Sequence, residues 1–111
     1  MARTLIRTNE FDEFYDSLED RIREKVDYVL SVMMEIKVVS TKFVKKLERT
    51  EFYEMRVSVN NEYRIIIFTI DDDNFVNAEN VLLLNGFVKK STKDYGKQIR
   101  LARTIIEKYS R

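Results

Sequence analysis

The side chains that could do chemistry in this 111-residue sequence are restricted, because it contains neither His nor Cys. Without Cys there is no thiolate nucleophile and no thiolate metal site. Without His, the usual base near neutral pH and the commonest ligand of transition metals are both missing. Any catalysis must therefore use Lys, Arg, Tyr, Asp, Glu, Ser or Thr.

An acidic run deserves a test as a metal site. Asp71, Asp72, Asp73 and the nearby Glu79 have a spacing similar to that of a calcium loop. The segment lacks the glycine and the bidentate Glu that such a loop needs at fixed positions. We therefore expect the polar tip of a hairpin here, and we expect neither a metal nor a cofactor.

Charge is distributed unevenly along the chain, although its formal net value is only +1. Residues 1–30 carry five basic and eight acidic groups, whereas residues 81–111 carry eight basic and two acidic groups. Two interpretations of this basic block remain open: a solvated helix face, or a surface that binds a polyanion such as nucleic acid. The near-neutral net charge does not exclude a polyanion-binding surface, because phosphates interact with local basic patches and not with the charge of the whole chain.

The spacing of apolar residues predicts a single α+β domain over residues 1–111. A short strand is expected at 2–7, followed by a helix capped by Thr8 or Asn9 and a second helix capped by Asp20. The helical apolar positions are Phe11, Phe14, Tyr15 and Leu18 in the first helix and Ile22, Val26, Val29, Leu30 and Met33 in the second.

The middle of the chain predicts an antiparallel meander. Residues 38–39 and 43–44 suggest an irregular strand, and 51–59 alternates, with Phe52 in step with Met55 and Tyr53 out of step. Asn60-Asn61 can make a tight turn into a central strand at 63–70. A turn at 71–74 and a strand at 75–84 follow, and a last helix is expected at about 94–109, with Ile99, Ala102, Ile105 and Ile106 inward.

Three local motifs, in this order, resemble the RelE/ParE toxin superfamily, in particular its HigB-like, phage-derived branch. They are Tyr53-Glu54-Met55-Arg56, then Tyr63-Arg64-Ile65, then the segment 82–90 that ends in Lys89-Lys90. The amphipathic segment Ile99 to Tyr109 also resembles the family's last helix. The resemblance covers residues 3–109 and implies a RelE-like fold: a small antiparallel sheet with an N-terminal two-helix hairpin and a C-terminal helix.

The resemblance also implies a function: the toxin of a type II toxin–antitoxin pair, an endoribonuclease that cuts mRNA, generally in the ribosomal A site. Its expected partner is a helix-turn-helix antitoxin, through which DNA is contacted only indirectly. Metal-free cleavage of this kind is chemically accessible without His. RNA supplies its own 2′-hydroxyl nucleophile, and guanidinium groups can stabilise the charge of the phosphorane.

Candidate site residues follow from the matching positions. Arg64 is expected to hold the scissile phosphate, Arg56 to support its charge, and Lys89 or Lys90 to stabilise the transition state or leaving group. Lys46, Lys93 and Lys97 are candidate RNA contacts.

Both arginines also have a structural alternative. Arg56 could form an ion pair with Glu51, Glu54 or Glu62, and Arg64 could be a partly buried arginine tied to a carboxylate.

Tyr95 is expected to stack on a base or to orient the 2′-hydroxyl, and its alternative is packing at the start of the last helix. Action as a base would require nearby cations to lower its pKa from about 10.

Two other functions share this fold and stay open at this stage. One is a ParE-like inhibitor of DNA gyrase, and the other is an inactive module that only binds an antitoxin. The sequence has no apolar run of the roughly 20 residues that span a membrane. Its N-terminus also lacks the apolar stretch of a signal peptide. We therefore expect no membrane partner and a cytoplasmic location.

Overall fold

A five-stranded sheet organises the computed structural model, which describes residues 2–110. Strand order is β1-β5-β4-β3-β2, with β1 parallel to β5 and the other neighbours antiparallel. The elements in chain order are β1 (Thr4–Arg7), α1 (Asn9–Asp16), α2 (Asp20–Glu35), β2 (Val44–Lys46), β3 (Tyr53–Val59), β4 (Asn61–Thr69), β5 (Asn80–Lys89) and α3 (Asp94–Tyr109). The predicted α+β class and its helix–meander–helix order are confirmed.

The N-terminal helices form where capping and periodicity predict them. Thr8 caps α1, because its Oγ1 accepts a hydrogen bond from the backbone N of Phe11 at 3.1 Å. The same hydroxyl donates to the carbonyl of Leu83, which anchors the cap to β5. The predicted cap of α2 is wrong: Asp20 is the first helical residue, and Glu19 precedes it without a side-chain cap bond.

Side chains of α1 and α2 cover one face of the sheet, which we call the helical-hairpin face. All five predicted apolar positions of α2 are buried there. They pack against alternate residues of the central strands, such as Met55, Ile65 and Leu83. No helix within residues 2–110 combines the length and apolar character that a membrane crossing requires.

The hairpin between β3 and β4 sets which side chains share a face. Asn60 alone lies between the strands, at a φ of 61°, and Val59 pairs with Asn61. Directly opposite residues point to the same face, so this register places Arg56 opposite Arg64. A shift by one residue would send either arginine to the other face.

The faces of β3 differ from the prediction. Tyr53 pairs with Ile67 and packs with Met55 on the helical-hairpin face, so it is in step with the strand. Phe52 precedes β3 and packs on the opposite face, edge-on to Phe68 at 6.1 Å between ring centroids. The alternation was misread because both residues are aromatic and both faces of this sheet are covered.

The last strand also differs from the prediction, since it begins at Asn80 and not at Phe75. Residues 75–78 form a turn in which the N of Ala78 donates to the carbonyl of Asn74. The carboxylate of Asp71 then accepts hydrogen bonds from the backbone N of Glu79 and Asn80. These bonds lower the pKa of Asp71 and close the loop. Within residues 2–110 the acidic side chains form no group suited to a metal ion.

Helix α3 covers the other face of the sheet, which we call the α3 face. Ala102 and Ile105 are buried against it, and Ile99 and Ile106 are partly buried, as the periodicity predicts. The irregular strand expected near residue 38 is reduced to Val44–Lys46, and Val38 is exposed. The sheet is therefore sandwiched between two separate apolar clusters.

Arg3 joins the N-terminus to the rest of the helical-hairpin side. It is 2% exposed, and its guanidinium donates to the carbonyls of Met33, Ile36, Lys37 and Phe75. Three of these carbonyls belong to the C-terminal end of α2 and the residues just beyond it, where free carbonyl groups favour a cation. Arg3 thus fixes β1, the end of α2 and the loop before β5 relative to one another.

Gly86 provides the first test of this packing. A Cβ on Gly86 would overlap the ring of Phe14, so Gly86→Ala forces the ring to move and should lower the free energy of unfolding by about 1–3 kcal/mol. Urea denaturation measures this change.

The matched control is Gly96→Ala. Gly96 lies inside α3, and its nearest neighbour, Nη1 of Arg100, is 3.6 Å from the added Cβ. Higher helix propensity should make this variant more stable by up to about 1 kcal/mol. Equal unfolding midpoints for wild type and Gly86→Ala would contradict the packing argument.

Candidate active site

The candidate site lies on the α3 face, where β3, β4 and β5 meet the first turn of α3. Cross-strand pairs place Arg56 opposite Arg64 and Glu62 opposite Lys89 on this face. Tyr95 reaches the same place from α3, since its ring packs edge-on against Phe87, with 5.6 Å between centroids. Four elements thus contribute one side chain or more to a single region.

Arg64 is the buried centre of a polar group of four side chains, which we call the Arg64 cluster. Its Nε lies 3.0 Å from Oε1 of Glu54 and donates to the hydroxyl of Tyr95 at 3.2 Å. Its Nη2 lies 3.2 Å from Oε1 of Glu62, and Nη1 donates to the carbonyl of Tyr63. The hydroxyl of Tyr95 in turn donates to Oε1 of Glu54 at 2.6 Å.

Because Arg64 and Glu54 are buried, their contacts stabilise the fold as well as balance charge. Arg64 is only 2% exposed and Glu54 only 5% exposed. Each nitrogen of the guanidinium has a protein partner, and burial keeps Arg64 from contact with a phosphate in this arrangement. The structure agrees with the alternative given for Arg64, a partly buried arginine tied to a carboxylate, and goes further, since Arg64 is fully buried and contacts two carboxylates.

Tyr95 is held in its neutral form. Burial, followed by the hydrogen bond to Glu54, raises the pKa of its hydroxyl to about 12. This shift is opposite in direction to the lowering that a base would need. Tyr95 is therefore a hydrogen-bond donor at neutral pH, and its ring packs at the start of α3, as its alternative interpretation holds.

Three cations lie next to the cluster, and we call Arg56, Lys89 and Lys90 the basic rim. Arg56 is half-buried, forms no ion pair within the described part of the chain, and makes one long hydrogen bond to the carbonyl of Thr41. Lys89 Nζ lies 5.7 Å from the ring centroid of Tyr95. Lys90 is exposed, and its backbone N donates to the carboxylate of Asp94.

The remaining predicted contacts fall in two places. Lys93 and Lys97 are exposed around the first turn of α3, next to the basic rim. Lys46 is not brought to the site: it pairs with Tyr53, which lies on the helical-hairpin face, and its Nζ bonds the carbonyls of Leu47 and Thr50. Lys45, which was not predicted, pairs with Glu54 and so shares the α3 face.

The carboxylates of the site were missed as partners of Arg64. Sequence reasoning assigned Glu54 and Glu62 only as possible partners of Arg56. A usable signal exists, since pairing about Asn60 puts Glu54, Glu62 and Arg64 on one face. Glu62 is the more exposed of the two, and its pKa is lowered first by a hydrogen bond from Ser58 and then by Arg64.

Comparison with known proteins agrees with this architecture. Residues 13–107 match the family model described as Phage derived protein Gp49-like (DUF891). No curated protein matches the chain. Several solved structures match its fold.

One is an arginine-substituted mutant of the E. coli toxin RelE in the free state, with a TM-score of 0.64 and 16% identity over 90% of this chain and 97% of that chain. Another is the intact E. coli RelBE toxin–antitoxin complex, with a TM-score of 0.60 and 18% identity over 81% and 100%. A third is the RelB–RelE antitoxin–toxin complex from Methanococcus jannaschii, with a TM-score of 0.56 and 19% identity over 81% and 96%. The predicted RelE-like fold is confirmed.

Glu54 provides a test of the buried charge. Glu54→Gln leaves the guanidinium of Arg64 buried with one fewer carboxylate, and we expect a loss of about 3 kcal/mol in the free energy of unfolding, measured with urea. Glu51→Gln removes the exposed partner of Arg103 and should cost less than about 1 kcal/mol. Equal losses in the two variants would show that the Arg64 cluster contributes no more than a surface pair.

Tyr95 provides a test that depends on pH. Since folding raises its pKa to about 12, the folded state favours the neutral phenol, whereas an unfolded tyrosine ionises near pH 10. The stability gained from Tyr95 is therefore complete below pH 10 and is lost as the pH rises towards 12. The difference in unfolding free energy between wild type and Tyr95→Phe should shrink across that interval. A constant difference from pH 9 to pH 12 would contradict the raised pKa.

Proposed function

Since the chain belongs to the phage-derived Gp49-like family and has the fold of RelE toxins, we propose that it is the toxin of a toxin–antitoxin pair and a metal-independent endoribonuclease. The observation that carries this proposal is the basic rim: Arg56 and Lys89 lie on the α3 face beside Arg64, and Lys90 follows directly after β5. The proposed substrate is mRNA, cut on the ribosome in the A site, and the proposed place of action is the cytoplasm.

The proposed reaction needs no nucleophile from the protein. The 2′-oxygen of the RNA attacks the adjacent phosphorus, the bond from phosphorus to the 5′-oxygen breaks, and the products are a 2′,3′-cyclic phosphate and a 5′-hydroxyl. One proton leaves the 2′-hydroxyl and one is delivered to the 5′-oxygen. The protein's task is to align the strand and stabilise negative charge on the phosphorane.

The geometry supports a division of roles within the site. Arg56 has the guanidinium that is free to bind the scissile phosphate, and Lys89 and Lys90 supply charge for the phosphorane or the leaving oxygen. Arg64 acts as a positioning residue, since it orients Glu54 and Tyr95 and is not itself accessible. Lys93 and Lys97 are proposed contacts to the RNA backbone beside this rim.

An antitoxin is the proposed protein partner. Two of the matching structures are complexes of a RelE toxin with the antitoxin RelB. In this chain the outer edges of β1 and β2 carry unpaired strand positions. Isoleucines at positions 6 and 70 are 39% and 49% exposed. An antitoxin segment can cover such surfaces, and we propose one with a helix-turn-helix domain.

Arg56→Ala tests the proposed activity. In a translating extract, wild-type protein should create new 5′ ends in mRNA, mapped by primer extension, and Arg56→Ala should lower the rate about 100-fold or more, as loss of a charge-stabilising donor does. Arg56 is preferred to Arg64 for this test because replacement of Arg64 disturbs the buried cluster.

Arg21→Ala is the control, since Arg21 is an exposed arginine on α2, away from the α3 face. It should cleave like wild type. Unchanged message ends with wild-type protein would reject the endoribonuclease, and signs of DNA damage with intact mRNA would favour gyrase inhibition in its place.

A further inference from the structure

A second basic feature lies at the exposed edge of β3, beyond the point where β2 begins. It is an open pocket of about 260 Å³, and we call it the edge pocket. Its lining residues are Lys25, Lys42, Phe43, Arg56 and Ser58. None of these five residues is acidic, and the carboxylate of Glu62, which accepts a hydrogen bond from Ser58, lies beside the pocket.

Its shape follows from the irregular start of β2. The backbone N of Arg56 donates to the carbonyl of Phe43 at 2.7 Å, and the guanidinium of Arg56 reaches the carbonyl of Thr41. This places the loop before β2 against the edge of β3. Lys25 approaches from α2 on the other side, so that three elements of separate sequence origin bring their cations to one concavity.

The lysines of the edge pocket lie against aromatic rings and not against carboxylates. Lys25 Nζ and Lys42 Nζ each lie 5.7 Å from the ring centroid of Phe43, and Lys25 Nζ lies 5.0 Å from that of Tyr28. Within residues 2–110 no ion pair involves Lys25, Lys42 or Arg56. The charges of the two lysines are therefore available to an external anion, whereas Arg56 also acts on Glu62, whose pKa is lowered first by Ser58, then by Arg64 and also by Arg56.

Tyr28 adds an aromatic surface next to this pocket. Its ring is edge-on to Phe43 at 5.9 Å between centroids, and the residue is 52% exposed. Alternation of cations with an exposed aromatic ring is the pattern that binds single-stranded nucleic acid, where the cations contact phosphates and the ring stacks on a base.

We propose that the edge pocket binds a backbone phosphate of single-stranded RNA, with a neighbouring base stacked on Tyr28. This proposal deepens the proposed function and rests on it for the identity of the substrate. Arg56 belongs to both the edge pocket and the basic rim, so an RNA strand that crosses the rim has a continuous basic path onto the edge of β3. The pocket thus fixes the direction in which the strand leaves the site.

A binding measurement tests this without requiring cleavage. The probe is a fluorescent 2′-O-methyl oligouridine of about ten nucleotides, which lacks the nucleophilic hydroxyl, and its affinity is read by anisotropy over a range of NaCl concentrations. Lys25→Gln/Lys42→Gln should weaken binding about ten-fold at low salt. The slope of log affinity against log salt should fall by about 0.7, the value for one lost phosphate contact on a single strand.

The matched control is Arg21→Gln/Lys37→Gln, which removes the same charge at exposed sites outside the edge pocket. It should retain wild-type affinity to within about two-fold. Tyr28→Leu should weaken binding about ten-fold with an unchanged salt slope, because the ring is uncharged, whereas Tyr109→Leu should have little effect.

Three results would overturn the proposal. The first is equal weakening by the two double variants, which would reduce the effect to net charge. The second is absence of probe binding by wild type. The third is a Lys25→Gln/Lys42→Gln variant that loses binding to a polyglutamate peptide but binds RNA like wild type, which would assign the pocket to an acidic protein segment. Failure of mRNA cleavage alone would reject the proposed enzyme and leave this RNA-binding result standing.

Discussion

A buried arginine is the constraint on which the candidate site depends. Arg64 lies in the central strand of a sheet that is covered on both faces, where an uncompensated charge would be very unfavourable. Its compensation comes from β3 through Glu54, from α3 through Tyr95, and from its own strand through Glu62. The position of α3 on the sheet is therefore fixed by polar geometry as well as by apolar packing.

This arrangement separates the residues that hold the site from those that face solvent. The Arg64 cluster uses its donors internally, and the charge that remains available belongs to the basic rim and the edge pocket. The carboxylate of Glu54 neutralises Arg64, and Arg56, on the neighbouring strand, is the arginine of the site that stays partly accessible.

Sequence reasoning predicted the elements with strong periodicity and missed details that depend on register. The five apolar positions of α2 and the bounds of α3 follow from local spacing alone. The faces of Phe52 and Tyr53, the start of β5, and the partners of Arg64 all depend on which residues pair across the sheet. The register between β3 and β4 is set by the single turn residue Asn60. The start of β5 is set by the carboxylate of Asp71, which holds the loop before it. The placement of Lys46 away from the site has the same origin, since a shift of one residue in β2 would have put it on the α3 face.

The parallel pairing of β1 with β5 has a consequence for the order of events during synthesis. The first strand of the chain joins the sheet only through the last one, and Arg3 closes on the loop at Phe75. Lys108 and Tyr109 also contact Glu10 and Asn9. Contacts between such distant parts of a chain form late and slow folding. The nascent chain therefore cannot complete its sheet until most of its own message has been translated, which delays the appearance of the assembled site until the chain is nearly finished.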